Sequence, residues 1–388
     1  MRQEKEFNKP EILKTANKIF KKGTCDNCLG RQFAMISTGL ANKERGQILR
    51  KLLNAGPEKK ECKICNNLFR NLEKFVPDVK EKLKGIDFKT FSVGSRINEN
   101  LMEREEKLWK SVGIKYCEPL KSELNREFGK LLEKRMKKTA DKLNPDINIL
   151  IDLESKKIEI KINPVFFYGK YKKLVRGLPQ TKWDKYPETV EDIIACPLMK
   201  KTCGKGHSMH ACGREDIDAR CLDWRPFVFE ITEPKKRKID LKKIESEIKK
   251  TKKVEIKDLR LSNKKEVIRI KALRPDKSYR VLVDFEKPVK NIEKLKKLCT
   301  LIKQKTPKRV LHRRADLLRN RKVKSIGWKK INNKRYEIEI KGEAGLYIKE
   351  LVTGDNERTK PSVSEILNNP AKVELLDVTK IWLSNKRQ

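Results

Sequence analysis

Two short cysteine pairs constrain the folding of this chain more than any other feature of its sequence. Cys25-Asp-Asn-Cys28 is answered, after 33 residues, by Cys62-Lys-Ile-Cys65. Two such turns can offer four thiolates to one tetrahedral Zn(II), and a site closed by four protein ligands has no open position for a substrate. Its work is then folding: in small zinc modules the bound ion is worth roughly 10–16 kcal/mol of apparent free energy. Leu40, Ile48, Leu49, Leu52 and Leu53 in the gap predict a helix packed inside the module. The alternative is two unrelated reduced pairs. Ten cysteines without a signal peptide point to a reducing compartment, and the cytoplasm is the expected location.

Charge narrows the partner. Lys and Arg number 95 against 54 Asp and Glu, a formal net charge of +41. No neutral small molecule calls for such a field, whereas a polyanion does. No apolar run reaches the eighteen or more residues of a membrane span, so a membrane partner is not expected. With 388 residues the chain has room for two or three domains with full cores. Only His207, His210 and His312 supply imidazoles, so any catalysis should rest on carboxylates, Lys, Arg or Tyr. There is no P-loop and no Gly-x-Gly-x-x-Gly after a strand, which argues against nucleotide-driven and methyl-donor chemistry. Cys196, Cys203, His207, His210 and Cys212 lie close in sequence, but no second metal is expected from them.

Periodicity divides the remainder. Leu120, Leu124, Phe128, Leu131, Leu132 and Met136 form one helical stripe. Ile147, Ile149, Ile151 and Ile158, Ile160, Ile162 alternate on either side of a polar turn, which predicts a hairpin. From Asn163 to Gln180 aromatics interleave with Lys and Arg, a composition suited to stacking bases and holding phosphates, although Phe166 and Phe167 read first as core strand residues. Residues 235–260 hold twelve basic and five acidic side chains at helical spacing and predict one amphipathic helix. Glu266 to Leu273 and Ser278 to Phe285 read as two strands joined by a turn at Arg274-Pro-Asp-Lys277. Residues 305–324 carry nine Lys or Arg against one acid, Asp316, with Leu311, Ala315 and Leu318 expected to turn inward. That is a phosphate-tracking stripe.

The densest polar constellation runs from His210 to Ile231. Gly213-Arg214-Glu215-Asp216-Ile217-Asp218-Ala219-Arg220 sets carboxylates among guanidinium groups beside the apolar run Phe227 to Ile231. On its residues alone it reads first as a structural ion-pair network and second as a site for an aspartate nucleophile, which nearby positive charge would keep ionised.

That octapeptide closely resembles the catalytic motif of the archaeal tRNA pseudouridine synthases that act on T-loop uridines 54 and 55. The paired cysteines and the Pro164 to Gln180 stretch are similar to that family's accessory region, which carries a THUMP element. Lys277-Ser-Tyr279-Arg-Val-Leu-Val, Thr306 to Arg319, and Ala344-Gly-Leu-Tyr347-Ile-Lys349 through Ser362 resemble its later motifs, in its order. One departure is Leu222-Asp-Trp-Arg225-Pro-Phe, where the family usually has Leu-Gly and a short glycine turn before Arg-Pro-Phe. The resemblance implies Asp216 as nucleophile, with Asp218 the lesser candidate. It implies Lys349 as the basic residue paired with Asp216, Tyr279 as the ring that stacks on the uracil, and Tyr347 as a second substrate contact. Arg214, His312, Arg313 and Arg314 are expected to contact the RNA.

The expected architecture is α+β: a zinc-binding module over 1–75, a THUMP-type RNA-binding domain over 76–187, and a pseudouridine synthase domain over 188–388 with a mixed, largely antiparallel sheet and flanking helices. The expected activity is isomerisation of a flipped-out uridine in the tRNA T-arm, with structural zinc on Cys25, Cys28, Cys62 and Cys65, no catalytic cofactor and no obligatory protein partner, the chain acting as a monomer. The rival readings are a non-catalytic zinc-containing tRNA-binding protein and a THUMP-bearing thiolase or methyltransferase.

Overall fold

The computed structural model describes residues 2–58 and 60–383, and the chain divides into two compact units between Asn163 and Pro164. In the first unit the helices α1 (Arg2–Phe7), α2 (Pro10–Lys21), α3 (Asp26–Gly30) and α4 (Asn42–Leu52) surround the cysteine pairs. After a 3-10 segment, Leu68–Phe75, come α5 (Val76–Lys82), β1 (Thr90–Arg96), α6 (Glu99–Val112), α7 (Leu120–Met136), β2 (Thr139–Ala140), β3 (Ile147–Asp152) and β4 (Lys157–Ile162). The sheet order is β2-β1-β3-β4, with β3 and β4 the hairpin expected from the alternating isoleucines. The helix expected between the cysteine pairs is α4, which buries Leu49 fully. It lies so close to α3 that a Cβ on Gly46 would fall 2.1 Å from the Asp26 carbonyl oxygen. One apolar core runs from Phe7 and Ile19 past the four cysteines to Phe128 and Ile149, so packing does not break at residue 75.

The second unit contains β5 (Val165–Lys173), α8 (Val190–Thr202), β6 (Gly206–Ala211), β7 (Ala219–Thr232), α9 (Leu241–Lys249), β8 (Val254–Ser262), α10 (Lys264–Ala272) and β9 (Asp276–Phe285). It continues with β10 (Leu301–Gln304), β11 (Arg319–Lys330), β12 (Arg335–Gly342), α11 (Ile348–Thr353), β13 (Thr359–Lys360), α12 (Val363–Leu367) and β14 (Ala371–Trp382). These strands form one ten-stranded sheet in the order β13-β10-β11-β12-β9-β14-β7-β5-β8, with β6 also paired to β7. Among the described residues every pair in it is antiparallel except β14 with β7. One core gathers around β5, β7, β8, α8 and α9, and another around β9, β12, β14 and α11. Strand β14 lies between β9 and β7.

Several expectations change here. The sequence reading places a boundary at 187/188, whereas the units part at 163/164, because β5 is an interior strand of the second sheet, bonded to both β7 and β8. The aromatic stretch after Asn163 is therefore core strand, with Phe167 and Tyr171 fully buried. Glu266 to Leu273 is helical: Asn263 caps α10 by accepting from the Glu266 N–H, and Val267 and Ile270 are buried while Ile268 is 65% exposed. Residues 235–260 hold not one helix but α9 followed by the start of β8. Leu318, expected inward, is 60% exposed, and Ala315 is exposed as well. The departure at Leu222 to Phe227 lies within the continuous strand β7.

Candidate active site

The turn between β6 and β7 carries Asp216, and buried polar groups fix its course. Gly213 opens the turn at φ +73°, in the left-handed region that only glycine enters without strain. The fully buried Lys173 ammonium donates to the carbonyls of Leu178 (2.8 Å), Asp216 (3.0 Å) and Ile217 (3.1 Å). Gln180 Nε2 donates to the Gly213 carbonyl at 3.0 Å and to the Tyr171 hydroxyl at 2.6 Å. Tyr171 donates in turn to Glu215 Oε2 at 2.9 Å, and Arg225 Nε lies 3.1 Å from the same oxygen. Arg225 also donates to the Cys212 carbonyl at 2.9 Å. A buried ion pair of this kind stabilises little by itself, but breaking it is costly, so it specifies one loop conformation.

This turn presents the Asp216 carboxylate to two cations. Arg309, in the 3-10 segment Lys308–Arg313, donates from Nη1 to Oδ1 at 3.2 Å and from Nη2 to Oδ2 at 3.0 Å. Its Nε donates to Glu350 Oε1 at 2.7 Å, so α11 holds the other edge of the fork. Burial works against the guanidinium's charge, but Glu350 and Asp216 more than compensate and raise its pKa. Lys349 donates to both Asp218 oxygens at 2.6 Å and lies 3.6 Å from Asp216 Oδ2. The resemblance pairs Lys349 with Asp216; here Asp218 is its nearer partner. Burial opposes the Asp218 charge, but Lys349 lowers its pKa overall.

Asp216 opens onto a cavity of about 280 Å³ that Lys277, Tyr279, Arg309, Arg314 and Tyr347 also line. Tyr279 is on β9, and burial pushes its phenol up to about 12, with Arg225 opposing the shift. Tyr347 caps α11. Its backbone N–H donates to Gln304 Oε1 and its carbonyl accepts from Gln304 Nε2, both at 2.9 Å, while its hydroxyl accepts from Arg314 Nη1 at 3.0 Å. Arg214 is exposed and lines the same cavity. His312 lines a neighbouring one with Trp183 and Asp218. The Arg313 side chain lies outside the described residues.

In the first unit the four cysteine sulfurs lie within 4.8 Å of one another and are buried. Zn–S bonds of about 2.3 Å put tetrahedral sulfur–sulfur edges near 3.8 Å, and Cys25 Sγ and Cys65 Sγ are 3.6 Å apart. The Cys25 N–H donates to Cys62 Sγ at 3.2 Å, and Arg31 Nη1 donates to Cys28 Sγ at 3.0 Å. These donors suit anionic sulfurs. The geometry therefore fits a four-thiolate ion.

Comparison with known proteins now bears on the site. The family model described as "Pus10, C-terminal" matches residues 166–382, and that of "Pus10 THUMP domain, archaeal" matches residues 75–152. The chain is 40% identical to the tRNA pseudouridine synthase Pus10 of Pyrococcus furiosus, over 95% of this chain and 98% of the relative. It is 36% identical to the protein of the same name from Methanothrix thermoacetophila, over 95% and 94%. The chain belongs to the Pus10 family. As a Pus10-family chain it is a pseudouridine synthase, with a THUMP domain ahead of the synthase fold. A solved Cbf5–Nop10–Gar1 complex also matches, at 18% identity and a TM-score of 0.34, over 55% of this chain and 48% of that one. Among the described residues no helix is long and apolar enough to cross a membrane.

The sequence reading missed several residues of the candidate site. Arg309 falls in the basic run and in the Thr306 to Arg319 motif, but nothing in the sequence separates it from its neighbours as the partner of Asp216. Lys173, Tyr171 and Glu215 gave no warning of their shared burial. Lys277 did leave a signal: it occupies the same face of β9 as Tyr279, Val281, Val283 and Phe285, and that face is buried.

Proposed function

We propose that this chain isomerises uridine to pseudouridine in the T-loop of tRNA, at positions 54 and 55, with Asp216 as the nucleophile. The observation that carries the reading is the Asp216 carboxylate, gripped by the Arg309 fork, beside Lys349, and facing a cavity lined by Tyr279 and Tyr347. A base can reach such a cavity only after leaving its stack, at a cost of a few kcal/mol that stacking on an aromatic face offsets by about 1–3 kcal/mol. Tyr279 is the stacking ring in this reading and Tyr347 the second contact, while Arg214, His312, Arg313 and Arg314 contact the RNA. Lys349 and Arg309 balance the charge of the nucleophile. Substrate and product are isomers, so no cofactor is consumed. Cys25, Cys28, Cys62 and Cys65 hold a structural zinc in the accessory unit, which with its THUMP domain docks the tRNA. The enzyme works in the cytoplasm as a monomer.

The test is incubation with unmodified tRNA transcript and no cofactor, followed by mapping of carbodiimide adducts by primer extension. Stops in the T-loop that vanish with Asp216→Ala, and that move to single sites on transcripts lacking uridine 54 or 55, are expected. Stops outside the T-loop would overturn the site assignment. Persistence of stops in Asp216→Ala would overturn the nucleophile, and tight tRNA binding without modification would favour a binding protein.

A further inference from the structure

Lys277 is the second residue of β9, two before Tyr279 on the same face, which sets the two Cα atoms about 7 Å apart. Both line the cavity onto which Asp216 opens. Lys277 is only 8% exposed, yet among the described residues its amine has no hydrogen-bond or ion-pair partner. Glu215, whose charge favours the ammonium, is taken by Arg225 and Tyr171. The amine lies over Gly213, 3.5 Å from where a Cβ on that glycine would sit. A buried ammonium without a counter-ion is costly, and the fold draws no bond from this one.

We infer that Lys277 is a catalytic residue of the proposed isomerisation, its ammonium donating a hydrogen bond to a carbonyl oxygen of the flipped uracil. The inference rests on the preceding functional reading. Isomerisation breaks the C1′–N1 bond, forms C1′–C5, and transfers one proton from C5 to N1. While the base is detached, the electron pair of the broken bond resides on uracil and spreads over its two carbonyl oxygens. An ammonium bonded to one of them stabilises that charge without surrendering its proton. Burial argues for the base over a phosphate: phosphates stay with the backbone, within reach of the exposed Arg214 and Arg314, whereas Lys277 is buried.

The groups facing the amine are Arg225 and Cys221 from β7 and Cys212 and Glu215 from the turn. Across the strands β12 and β14 its register partners are Gly342 and Ile381, neither titratable. Burial, then the Arg225 charge, push the amine down to about 8, with the cysteines and Glu215 opposing. The catalytic form is the protonated one, so this contribution is present below that pH and lost above it.

The experiment measures single-turnover rates and tRNA affinity for wild type, Lys277→Met and Asp216→Ala on unmodified transcript, from pH 6 to 9.5. Lys277→Met is expected to bind tRNA within about twofold of wild type and to react about 100-fold more slowly, the order found when one oxyanion donor is removed. The wild-type rate should fall above about pH 8, and that fall should be missing from the variant. A variant rate within threefold of wild type overturns the inference, as does lost tRNA binding with an intact saturated rate, which would mark a phosphate contact. Should Lys277→Met fail to fold, Lys277→Gln is read by the same criteria. A wild type that forms no pseudouridine overturns the functional reading itself, whereas an active wild type matched by Lys277→Met overturns this inference alone.

Discussion

A buried lysine that lines a pocket without a partner works against the fold, and its effect can be measured. The Lys277 amine is lowered from 10.5 to about 8, so the unfolded chain binds the proton more tightly between those values. Stability is therefore expected to rise as pH increases from about 8 to about 10, and Lys277→Met should gain roughly 3 kcal/mol at pH 7 at 1.36 kcal/mol per unit. Urea unfolding at pH 7 and pH 10 checks both, and a variant that loses stability would mark Lys277 as structural. Gly213 is constrained in the opposite direction. At φ +73°, with the Arg225 and Lys277 side chains 3.5 Å from its Cβ position, Gly213→Ala should cost about 1–2 kcal/mol and displace Asp216. A fall in turnover larger than that in stability is the expected outcome. At this scale the sequence was legible where a motif carried the residue, as for Asp216, Tyr279 and Tyr347. It was opaque where chemistry comes from burial alone: Lys173 and Lys172 are adjacent lysines, one fully buried and the other lying over Trp224, and no spacing rule separates them.

Strands and helices reach the site through single polar anchors. Asp377 on β14 accepts from Arg176 Nη2 at 2.5 Å, Arg220 Nη2 at 2.8 Å and Arg280 Nη2 at 3.3 Å, tying β14 to β7, to β9 and to the turn after β5. Burial raises its pKa, but these arginines prevail and lower it. A depressed folded pKa means stability that is present above the unfolded value near 3.9 and lost as pH falls through the folded one. Asp377→Asn should therefore cost about 1–3 kcal/mol at pH 7, because it leaves three half-exposed arginines without their shared acceptor, and the difference should shrink as pH falls through the lowered Asp377 pKa. An acid titration of both proteins by circular dichroism tests this. Elements were legible in the sequence when one period dominated, as for α7 and the β3–β4 hairpin. Glu266 to Leu273 misled because Val267, Ile268 and Ile270 look strand-like side by side. The deciding signal was local: Asn263 with Glu266 three residues later, an N-cap that outweighs β-branched content.

For the whole molecule, two compact units, each with its own apolar cores, mean two separable stabilities. The four cysteines lie inside the single core of the first unit, so chelation is expected to strip amide protection from β3 and β4 while β7 and β9 keep theirs. Equal protection with and without chelator, read by hydrogen exchange, would show the thiols need no ion. The net charge of +41 makes a second expectation: log affinity for tRNA should fall against log salt with a slope of about −0.7 to −0.9 per phosphate neutralised. A flat salt response would remove the electrostatic basis of docking. Charge, the cysteine module and the order of motifs were legible in the sequence, but not that the aromatic stretch after Asn163 belongs to the second unit, because strand pairing over such distances leaves no periodic trace. Strand β14 has the same long reach. Of the described strands it is the last to be made, yet it lies between β9 and β7. A growing chain thus holds Asp216 and Tyr279 on two unjoined half-sheets with open edges, and the pocket closes only when residues 371–382 arrive. An unfinished or C-terminally clipped protein would carry every residue of the proposed chemistry without an assembled pocket to hold them.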